Sequence, residues 1–261
     1  MRRLILFFLT ALIASGCGDN APTDIEESTL PSQGAQIAAV NFETSDGFTL
    51  VGTWFTPTQS TGPRPVVILL HMFNQNHSEW FPFAPDLVVE NGYVVLAFDM
   101  RGHGLSTLRN GQPFPITGFT AEDINAMPND VEAAIAWIKT RPEADPTRIG
   151  IIGADIGANI AFVSAGTLPE IKATVSISPE YRGNRESEIL VGTNIAGFQP
   201  KNILYVASFG DQYTYTSSET MSQLTQGTTR VIGYQGVAHG VQLLDDQTAW
   251  NDILNWLKAN L

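Results

Sequence analysis

The sequence predicts an α/β fold in which an eight-stranded, mostly parallel sheet carries helices on both faces. Short, uniformly apolar runs such as 66–70 are typical of strands that are covered on both sides. Segments with apolar residues at helical spacing alternate with these runs, and clusters of Gly, Pro, Asn and Asp separate them. Strands that alternate with helices form parallel sheets, because each helix crosses back over the sheet between two strands.

The predicted strands begin with a hairpin. Segments 37–43 and 48–55 flank the turn Ser45-Asp46-Gly47, whose residue types favour a tight reversal. Six further segments are predicted as strands: 66–70, 93–98, 149–152, 171–177, 203–207 and 230–234. No internal repeat is visible, and we expect a single domain over 37–261.

Four helices are predicted between and after these strands. They cover 78–91, 121–140, the stretch from residue 156 to about 168, and 243–259. The first ends at Asn91-Gly92, a typical helix stop, and the second ends before Pro142. The second and the last repeat apolar residues every three or four positions, which is the pattern of a helix that packs one face on a core.

Composition and charge limit the partners of the chain. A hydrophobic content of 43% with 15% charged residues is typical of a globular protein. The net charge of −12 and the lack of a Lys/Arg cluster argue against a nucleic-acid partner. The four histidines lie far apart, and neither a phosphate loop nor a dinucleotide fingerprint is present. We therefore expect no metal and no cofactor.

The amino terminus is typical of a secreted chain. Two arginines precede the apolar run 4–13, which is too short to span a bilayer and predicts a signal peptide over 1–16. The next residues, Ala14-Ser15-Gly16-Cys17, resemble the bacterial lipobox, where cleavage precedes a lipid-modified cysteine. Because Cys17 is the only cysteine, lipidation explains it better than a disulfide. Simple secretion with a spare cysteine is the alternative.

The lipid-bearing segment predicts the location of the protein. Residues 17–36 are rich in small and polar side chains and are expected to form a flexible tether. The chain is therefore expected at the bacterial cell envelope, on the periplasmic or extracellular side. The N-terminal lipid is its only expected membrane contact. Which membrane holds it, and its oligomeric state, are left open at this point.

The run RIGIIGADIGANIAFVSAG at 148–166 predicts a nucleophile elbow, a sharp turn between a buried strand and a helix. Small residues on either side of the tip let the strand and the helix approach closely: Gly153, Ala154, Gly157 and Ala158. Asp155 occupies the tip, where such elbows commonly carry serine. The alternative is an ordinary strand-to-helix turn, with Asp155 as the helix N-cap.

Two further residues complete a candidate catalytic triad. Asp211 follows the strand 203–207, and His239 follows the strand 230–234. The order nucleophile, acid, histidine and the position of each residue after a strand favour convergence at one edge of the sheet. Glu180 is a less favoured candidate for the acid, and a surface role is the alternative for His239.

These segments resemble the α/β-hydrolase superfamily over nearly all of 37–261, particularly its compact dienelactone-hydrolase-like and esterase-like members. The elbow carries the resemblance, together with LLHMFNQNHSEW at 69–80, DMRGHGLS at 99–106 and SPEYRG at 178–183. The resemblance implies an α/β-hydrolase fold. A large cap domain is not expected, because only the short segment 178–202 separates two neighbouring strands.

The resemblance also implies an oxyanion hole. The backbone N–H groups of Phe73 and Ile156 occupy the matching positions. Met72 stands where the family usually has glycine, which puts the geometry of this loop in doubt. His71 and the segment 99–106 are expected to have structural roles.

The aspartate at the elbow leaves the reaction open. Haloalkane dehalogenases and epoxide hydrolases of this superfamily carry aspartate there, which implies that Asp155 attacks a saturated carbon, His239 activates water and Asp211 orients His239. The compact architecture favours esters or lactones instead, although the carboxylate would then compete for the oxyanion hole. We expect a hydrolase acting on a small ester, lactone, epoxide or haloalkane.

Two alternatives remain beside nucleophilic attack. His239 could act as general base on water while Asp155 positions the substrate. A chain that has lost its serine could also keep the pocket and act only as a binding module. Several side chains are candidates for holding a leaving group: Asn74, Trp80, Tyr181 and Tyr213.

Overall fold

The computed structural model describes residues 34–59, 61–181 and 200–261 of the 261-residue chain. The predicted signal peptide at 1–16, Cys17 and most of the predicted tether at 17–36 lie outside the described residues. Within these ranges no helix is both long and apolar enough to cross a membrane.

The described strands form one ten-stranded sheet. They are β1 (Ala35–Glu43), β2 (Phe48–Pro57), β3 (Arg64–Leu70), β4 (Val94–Phe98), β5 (Leu108–Arg109), β6 (Gln112–Pro113), β7 (Ala144–Ala154), β8 (Ile171–Ile177), β9 (Lys201–Ser208) and β10 (Gln226–Tyr234). The order is β10-β9-β8-β7-β3-β4-β2-β5-β6, and β1 pairs with β2. The run from β10 to β4 is parallel, whereas β1, β2, β5 and β6 pair antiparallel.

This architecture confirms the predicted α/β fold. The eight predicted strands are all present, and the two additional ones, β5 and β6, form a hairpin of two-residue strands. Strands this short carry no periodic pattern, so the sequence gives no signal for them.

The described α-helices are α1 (Ala121–Asn125), α2 (Pro128–Ile138), α3 (Ile156–Thr167), α4 (Gln212–Leu224) and α5 (Gln247–Asn260). Segment 78–91 is not the continuous helix that the sequence predicts. It consists of a 3₁₀ turn, His77–Trp80, and a π-helical turn, Asp86–Glu90. Pro82 and Pro85 lie between and beside these turns, and proline removes the N–H that a continuous helix needs.

Two other helix predictions differ from the structure. The helix predicted over 121–140 is divided at Pro128, which begins α2 and has no N–H to bond back into α1. The helix predicted over 243–259 begins only at residue 247, after a 3₁₀ turn and the N-cap Asp246. Helix α4 was not predicted, because most of its buried side chains are polar: Thr214, Ser217 and Ser218.

Hydrophobic side chains form a core on each face of the sheet. Ile68 of β3 faces the core that includes Val131 of α2 and Ile160 of α3. Leu69, the next residue, faces the opposite core, which includes Trp250 of α5. Successive side chains of a strand point to opposite faces, which explains why the central strands are apolar throughout.

The start of α3 lies directly against the end of β3. A Cβ atom added to Gly157 would be 2.6 Å from the carbonyl oxygen of Leu70 and 2.7 Å from that of His71. A Cβ atom on Gly153 would overlap the carbonyl of Gly157. These two glycines therefore allow the sharp turn that the sequence predicts at residue 155.

We expect Gly157→Ala to lower the free energy of unfolding by about 1–3 kcal/mol, the usual effect of overpacking. Helix propensity alone predicts the opposite sign, since alanine is better than glycine inside a helix by about 1 kcal/mol. Urea denaturation of the purified domain measures the difference. Gly118→Ala is the matched control, because no heavy atom lies within 4 Å of its added Cβ. Equal stability of the two variants would contradict the packing described for α3.

Candidate active site

Asp155 lies at the tip of the turn between β7 and α3, with φ 55° and ψ −119°. This backbone conformation is sparsely populated for residues other than glycine and costs about 1–3 kcal/mol. The N–H of Asp155 donates to the carbonyl of Ile177 at the end of β8, 3.0 Å away. The turn is thereby held from the neighbouring strand, and the carboxylate projects beyond the edge of the sheet.

The carboxylate of Asp155 accepts a hydrogen bond from the backbone N–H of Phe73, with 3.0 Å between N and Oδ2. It makes no capping hydrogen bond to the first turn of α3. Asp155 thus occupies the N-cap position of α3, as the alternative interpretation expects, but its side chain does not cap the helix. One of the two N–H groups predicted to form an oxyanion hole instead donates to the carboxylate of Asp155.

His239 faces the other oxygen of Asp155. Its Nε2 lies 3.9 Å from Oδ1 of Asp155, which is too long for a direct hydrogen bond but close enough for electrostatic attraction. Its Nδ1 lies 2.7 Å from Oδ2 of Asp211 and donates to that carboxylate. The structure thus brings together the three residues of the predicted triad. It also pairs His239 with Asp211 rather than with Glu180.

The loop that carries His239 is fixed on both sides by serines. The N–H of Gly240 donates to Oγ of Ser178 at 2.9 Å, and Oγ of Ser208 donates to the carbonyl of Ala238 at 2.8 Å. A side chain on Gly240 would overlap the sulfur of Met72. Met72 therefore fills the space between the turn at residues 71–73 and the loop that carries His239.

The pKa of His239 is raised to about 9, first by the carboxylate of Asp155 and then by that of Asp211, against the opposing effect of burial. His239 is therefore an imidazolium at neutral pH in the resting site. Each carboxylate that keeps its charge helps to hold this proton.

The turn at residues 71–73 is held by buried hydrogen bonds. Burial lowers the pKa of His71 to about 3, so the ring is neutral. Its Nδ1 donates to the carbonyl of Met72 at 2.8 Å, and its Nε2 accepts from the N–H of Met100 at 2.9 Å. His71 thus has the structural role that the resemblance implies, since it fixes the peptide group that ends in the N–H of Phe73. Ile156, the other predicted donor, is the first residue of α3, where backbone N–H groups lack intrahelical acceptors.

Glu79 is a residue of the site that the sequence reasoning missed. Its Oε1 accepts from the N–H of Met72 at 2.7 Å. Burial raises the pKa of Glu79 to about 7, the bond from Met72 opposes this rise, and repulsion by Asp155 adds to it. The available signal was an acidic residue shortly after a strand end, in the segment 69–80 that carries the family resemblance.

A small crevice lies in front of Asp155. Five residues line it: Phe73, Asp155, Ile156, Asn159 and Glu180. Its internal volume is about 10 Å³, which is roughly what one water molecule needs. The side-chain amide of Asn159 bonds both the N–H and the carbonyl of Glu180, at 3.0 and 2.9 Å, and so fixes one wall. Over the described ranges, no three His, Cys, Asp or Glu side chains are grouped so that they could hold a metal ion.

The segment 99–106 packs beneath the site and does not line the crevice. Arg101 is almost fully buried and forms ion pairs with Asp130 and Asp46, at 2.7 Å each. His103 is 3% exposed and packs edge-on against the ring of Phe73. Of the candidate leaving-group donors, Trp80 is fully buried and therefore cannot meet a substrate.

Fold and site together define a protein of the α/β-hydrolase class. Residues 50–261 match the model of the dienelactone hydrolase family. The chain belongs to this family.

Individual relatives are distant. A protein of Synechocystis sp. named "Putative carboxymethylenebutenolidase" is 26% identical over 250 residues, covering 85% of this chain and 88% of the relative. The thiohydrolase apmlB of Arthrinium phaeospermum is 28% identical over 142 residues, and the matched region spans only 42% of its length. The crystal structure of dienelactone hydrolase from Anabaena variabilis superposes with a TM-score of 0.65, 18% identity and coverage of 88% of this chain and all of that one. At this identity the superposition supports the fold alone.

We expect an NMR titration of the His239 ring to give a pKa of about 9. Asp155→Asn should lower this pKa most and Asp211→Asn should also lower it, because each removes a negative charge that stabilises the imidazolium. Asp145→Asn, at the opposite end of β7, is the control and should leave it unchanged. A pKa near 6.5 in the unmodified chain would contradict the geometry.

The raised pKa of His239 also predicts how its contribution to the stability of the fold changes with pH. A folded-state pKa above the ordinary 6.5 means that charged His239 stabilises the fold at pH values below 6.5. This contribution is lost as the pH rises through about 9. The difference in Tm between the unmodified chain and His239→Gln should therefore shrink from pH 6 to pH 10. A difference that grows over this interval would contradict the assignment.

Proposed function

We propose that the protein is a hydrolase in which Asp155 is the nucleophile and attacks a saturated carbon. The hydrogen bond from the N–H of Phe73 to Oδ2 of Asp155 carries this proposal. It leaves Oδ1 as the oxygen nearest His239 and keeps Oδ2 in the position where an oxyanion develops when an aspartyl ester is hydrolysed. Family membership supports hydrolytic chemistry, and the aspartate determines where the first bond forms.

In the first step Oδ1 of Asp155 attacks the carbon that bears the leaving group. A carbon–oxygen ester bond forms, the bond to the leaving group breaks, and the leaving group departs with the bonding electron pair. The product is a neutral alkyl ester of Asp155. No acyl oxyanion forms in this step, so occupation of the oxyanion hole by Oδ2 does not hinder it.

In the second step water attacks Cγ of the Asp155 ester. Nε2 of neutral His239 takes the proton from the water, and Asp211 stabilises the resulting imidazolium. The negative charge develops on Oδ2, to which the N–H of Phe73 already donates. Collapse expels the alcohol, which takes its proton back from His239. The carboxylate of Asp155 is regenerated, and one proton passes to solvent.

The charge change at Asp155 prepares His239 for this second step. In the resting site Asp155 is the main cause of the raised pKa of His239. Alkylation removes that negative charge, so the pKa falls and the proton leaves to the departing group or to solvent. His239 then becomes the neutral base that water activation requires.

The substrate class is a small electrophile with a leaving group on a saturated carbon. Epoxides and haloalkanes meet this condition, and so do esters and strained lactones cleaved between oxygen and the alkyl carbon. Lactones fit both lines of support. Their alkyl carbon can be attacked by the aspartate, and family membership supports hydrolysis of esters and lactones. Attack of Asp155 at an acyl carbon is less well supported, because its own carboxylate occupies the donor that a carbonyl oxygen would need.

We expect His239→Gln to trap the covalent intermediate. The variant keeps the nucleophile but cannot activate water, so the alkyl ester of Asp155 should accumulate. Incubation with styrene oxide, 1-bromobutane or β-butyrolactone followed by intact-mass and peptide mass spectrometry should place one added alkyl group on the peptide that contains Asp155. Asp155→Asn is the control and should remain unlabelled. Absence of label with every probe would contradict the proposal that Asp155 is the nucleophile.

The variant Asp155→Ser tests whether the protein is a hydrolase with Asp155 as nucleophile or a binding module that has kept the hydrolase fold. Serine frees the N–H of Phe73 for a carbonyl oxygen and supplies a hydroxyl near His239. This variant should therefore hydrolyse p-nitrophenyl acetate faster than Asp155→Ala. If it does so while the unmodified chain neither forms an adduct nor turns over any probe, the protein is a binding module that kept the scaffold.

We also propose that the protein is anchored in the bacterial cell envelope by lipid on Cys17, on the periplasmic or extracellular side. The support is the sequence at 1–17, with its lipobox-like end and the only cysteine of the chain. The full chain expressed in a bacterium supplied with labelled palmitate should carry the label and sediment with membranes. Cys17→Ala should lose both properties. A membrane-bound Cys17→Ala variant would contradict the anchor.

A further inference from the structure

Two consecutive backbone N–H groups hold two different carboxylates at the site. The N–H of Met72 donates to Oε1 of Glu79 at 2.7 Å, and the N–H of Phe73 donates to Oδ2 of Asp155 at 3.0 Å. The carbonyl between these groups accepts from Nδ1 of His71 at 2.8 Å. The short turn is thus restrained at three successive polar atoms, and Glu79 supplies one of the three restraints.

Glu79 is itself held firmly by the residues on either side of it in the turn His77–Trp80. The N–H of His77 donates to Oδ1 of Asp99 at 2.8 Å, and its Nδ1 donates to the same oxygen at 2.6 Å. The indole of Trp80 is fully buried in the core. Because both neighbours are anchored, the backbone of Glu79 is held in place, and its hydrogen bond to Met72 resists a displacement of that residue.

The charge of Glu79 also bears on Asp155. Repulsion between the two carboxylates contributes to the raised pKa of Glu79, about 7, so Glu79 is partly protonated at neutral pH. Either form of the carboxyl group offers an oxygen to the N–H of Met72. A glutamine at this position would keep that acceptor and remove the charge.

We propose that Glu79 is a positioning residue that aims the N–H of Phe73 at Oδ2 of Asp155. In the resting site that N–H already holds the carboxylate of Asp155, and negative charge increases on Oδ2 only in the second step, when the aspartyl ester is hydrolysed. Glu79 therefore acts mainly on the second step. The kinetic part of this inference rests on the proposed function of Asp155 as nucleophile. The placement of the N–H of Phe73 does not depend on it.

The kinetic test follows the mass of the unmodified chain, Glu79→Ala and Glu79→Gln after mixing with β-butyrolactone or styrene oxide. Glu79→Ala should form the Asp155 adduct within about twofold of the normal rate. It should hydrolyse the adduct about tenfold more slowly or worse, because loss of an oxyanion donor typically costs about 10²–10³ and misalignment costs part of that. Glu79→Gln should restore hydrolysis to within a few-fold. Glu132→Gln, an exposed acid on α2, is the control.

A structural test needs no turnover. Amide hydrogen exchange at Phe73, read by NMR, should become about tenfold faster in Glu79→Ala and remain near normal in Glu79→Gln, since loss of the Met72 hydrogen bond frees the turn to open. Unchanged exchange in Glu79→Ala overturns the positioning role. Normal adduct hydrolysis in that variant also overturns it.

The two proposals fail in different ways. If no chain forms an adduct, the nucleophile proposal is wrong, and hydrogen exchange at Phe73 alone decides the role of Glu79. If adducts form on Asp155 and Glu79→Ala hydrolyses them at the normal rate, Asp155 is the nucleophile and the positioning role of Glu79 is wrong.

Discussion

The close approach of helix α3 to the end of strand β3 is the constraint on which the site depends. Only a hydrogen atom fits between Gly157 and the carbonyls of Leu70 and His71. This approach forces the left-handed backbone of Asp155 and brings its carboxylate within hydrogen-bond distance of the N–H of Phe73. The chemistry of the residue therefore follows from the packing of backbone against backbone.

The site holds more acid than base, and this imbalance links its proton equilibria. The carboxylates of Asp155 and Asp211 lie on either side of the imidazole of His239, and the charge of Glu79 interacts with that of Asp155. The pKa values of His239 and Glu79 are both raised, in part by the same carboxylate of Asp155. A change in the charge of Asp155 therefore shifts the pKa of both His239 and Glu79. An elbow serine, which is neutral, would not couple the groups in this way.

Much of the fold and part of the site could be predicted from the sequence. The buried strands are apolar throughout, and Asp155, Asp211 and His239 each follow one of them, so the topology alone places them at one edge. Helix α4 could not be predicted, because Thr214, Ser217 and Ser218 face its packed side and leave no apolar period.

Glu79 could not be recognised either, because its role depends on a 3₁₀ turn that returns the chain to Met72. Pro82 and Pro85 indicate that the segment 78–91 is not one continuous helix, a signal that the sequence prediction does not use. The hydrogen bond between Phe73 and Asp155 depends on the distance between two elements that no local pattern encodes.

The strand order determines which part of the site separates first when the sheet loosens. The elbow stands at the centre of the sheet, whereas the acid and the histidine follow β9 and β10, at one border. Among the described strands β10 pairs only with β9, and most of its side chains are exposed or half-exposed. Border strands of this kind open at lower free energy than the interior of a sheet. Loosening at this border would separate His239 from Asp155 while both hydrophobic cores stay intact, so the proposed triad would come apart before the molecule unfolds.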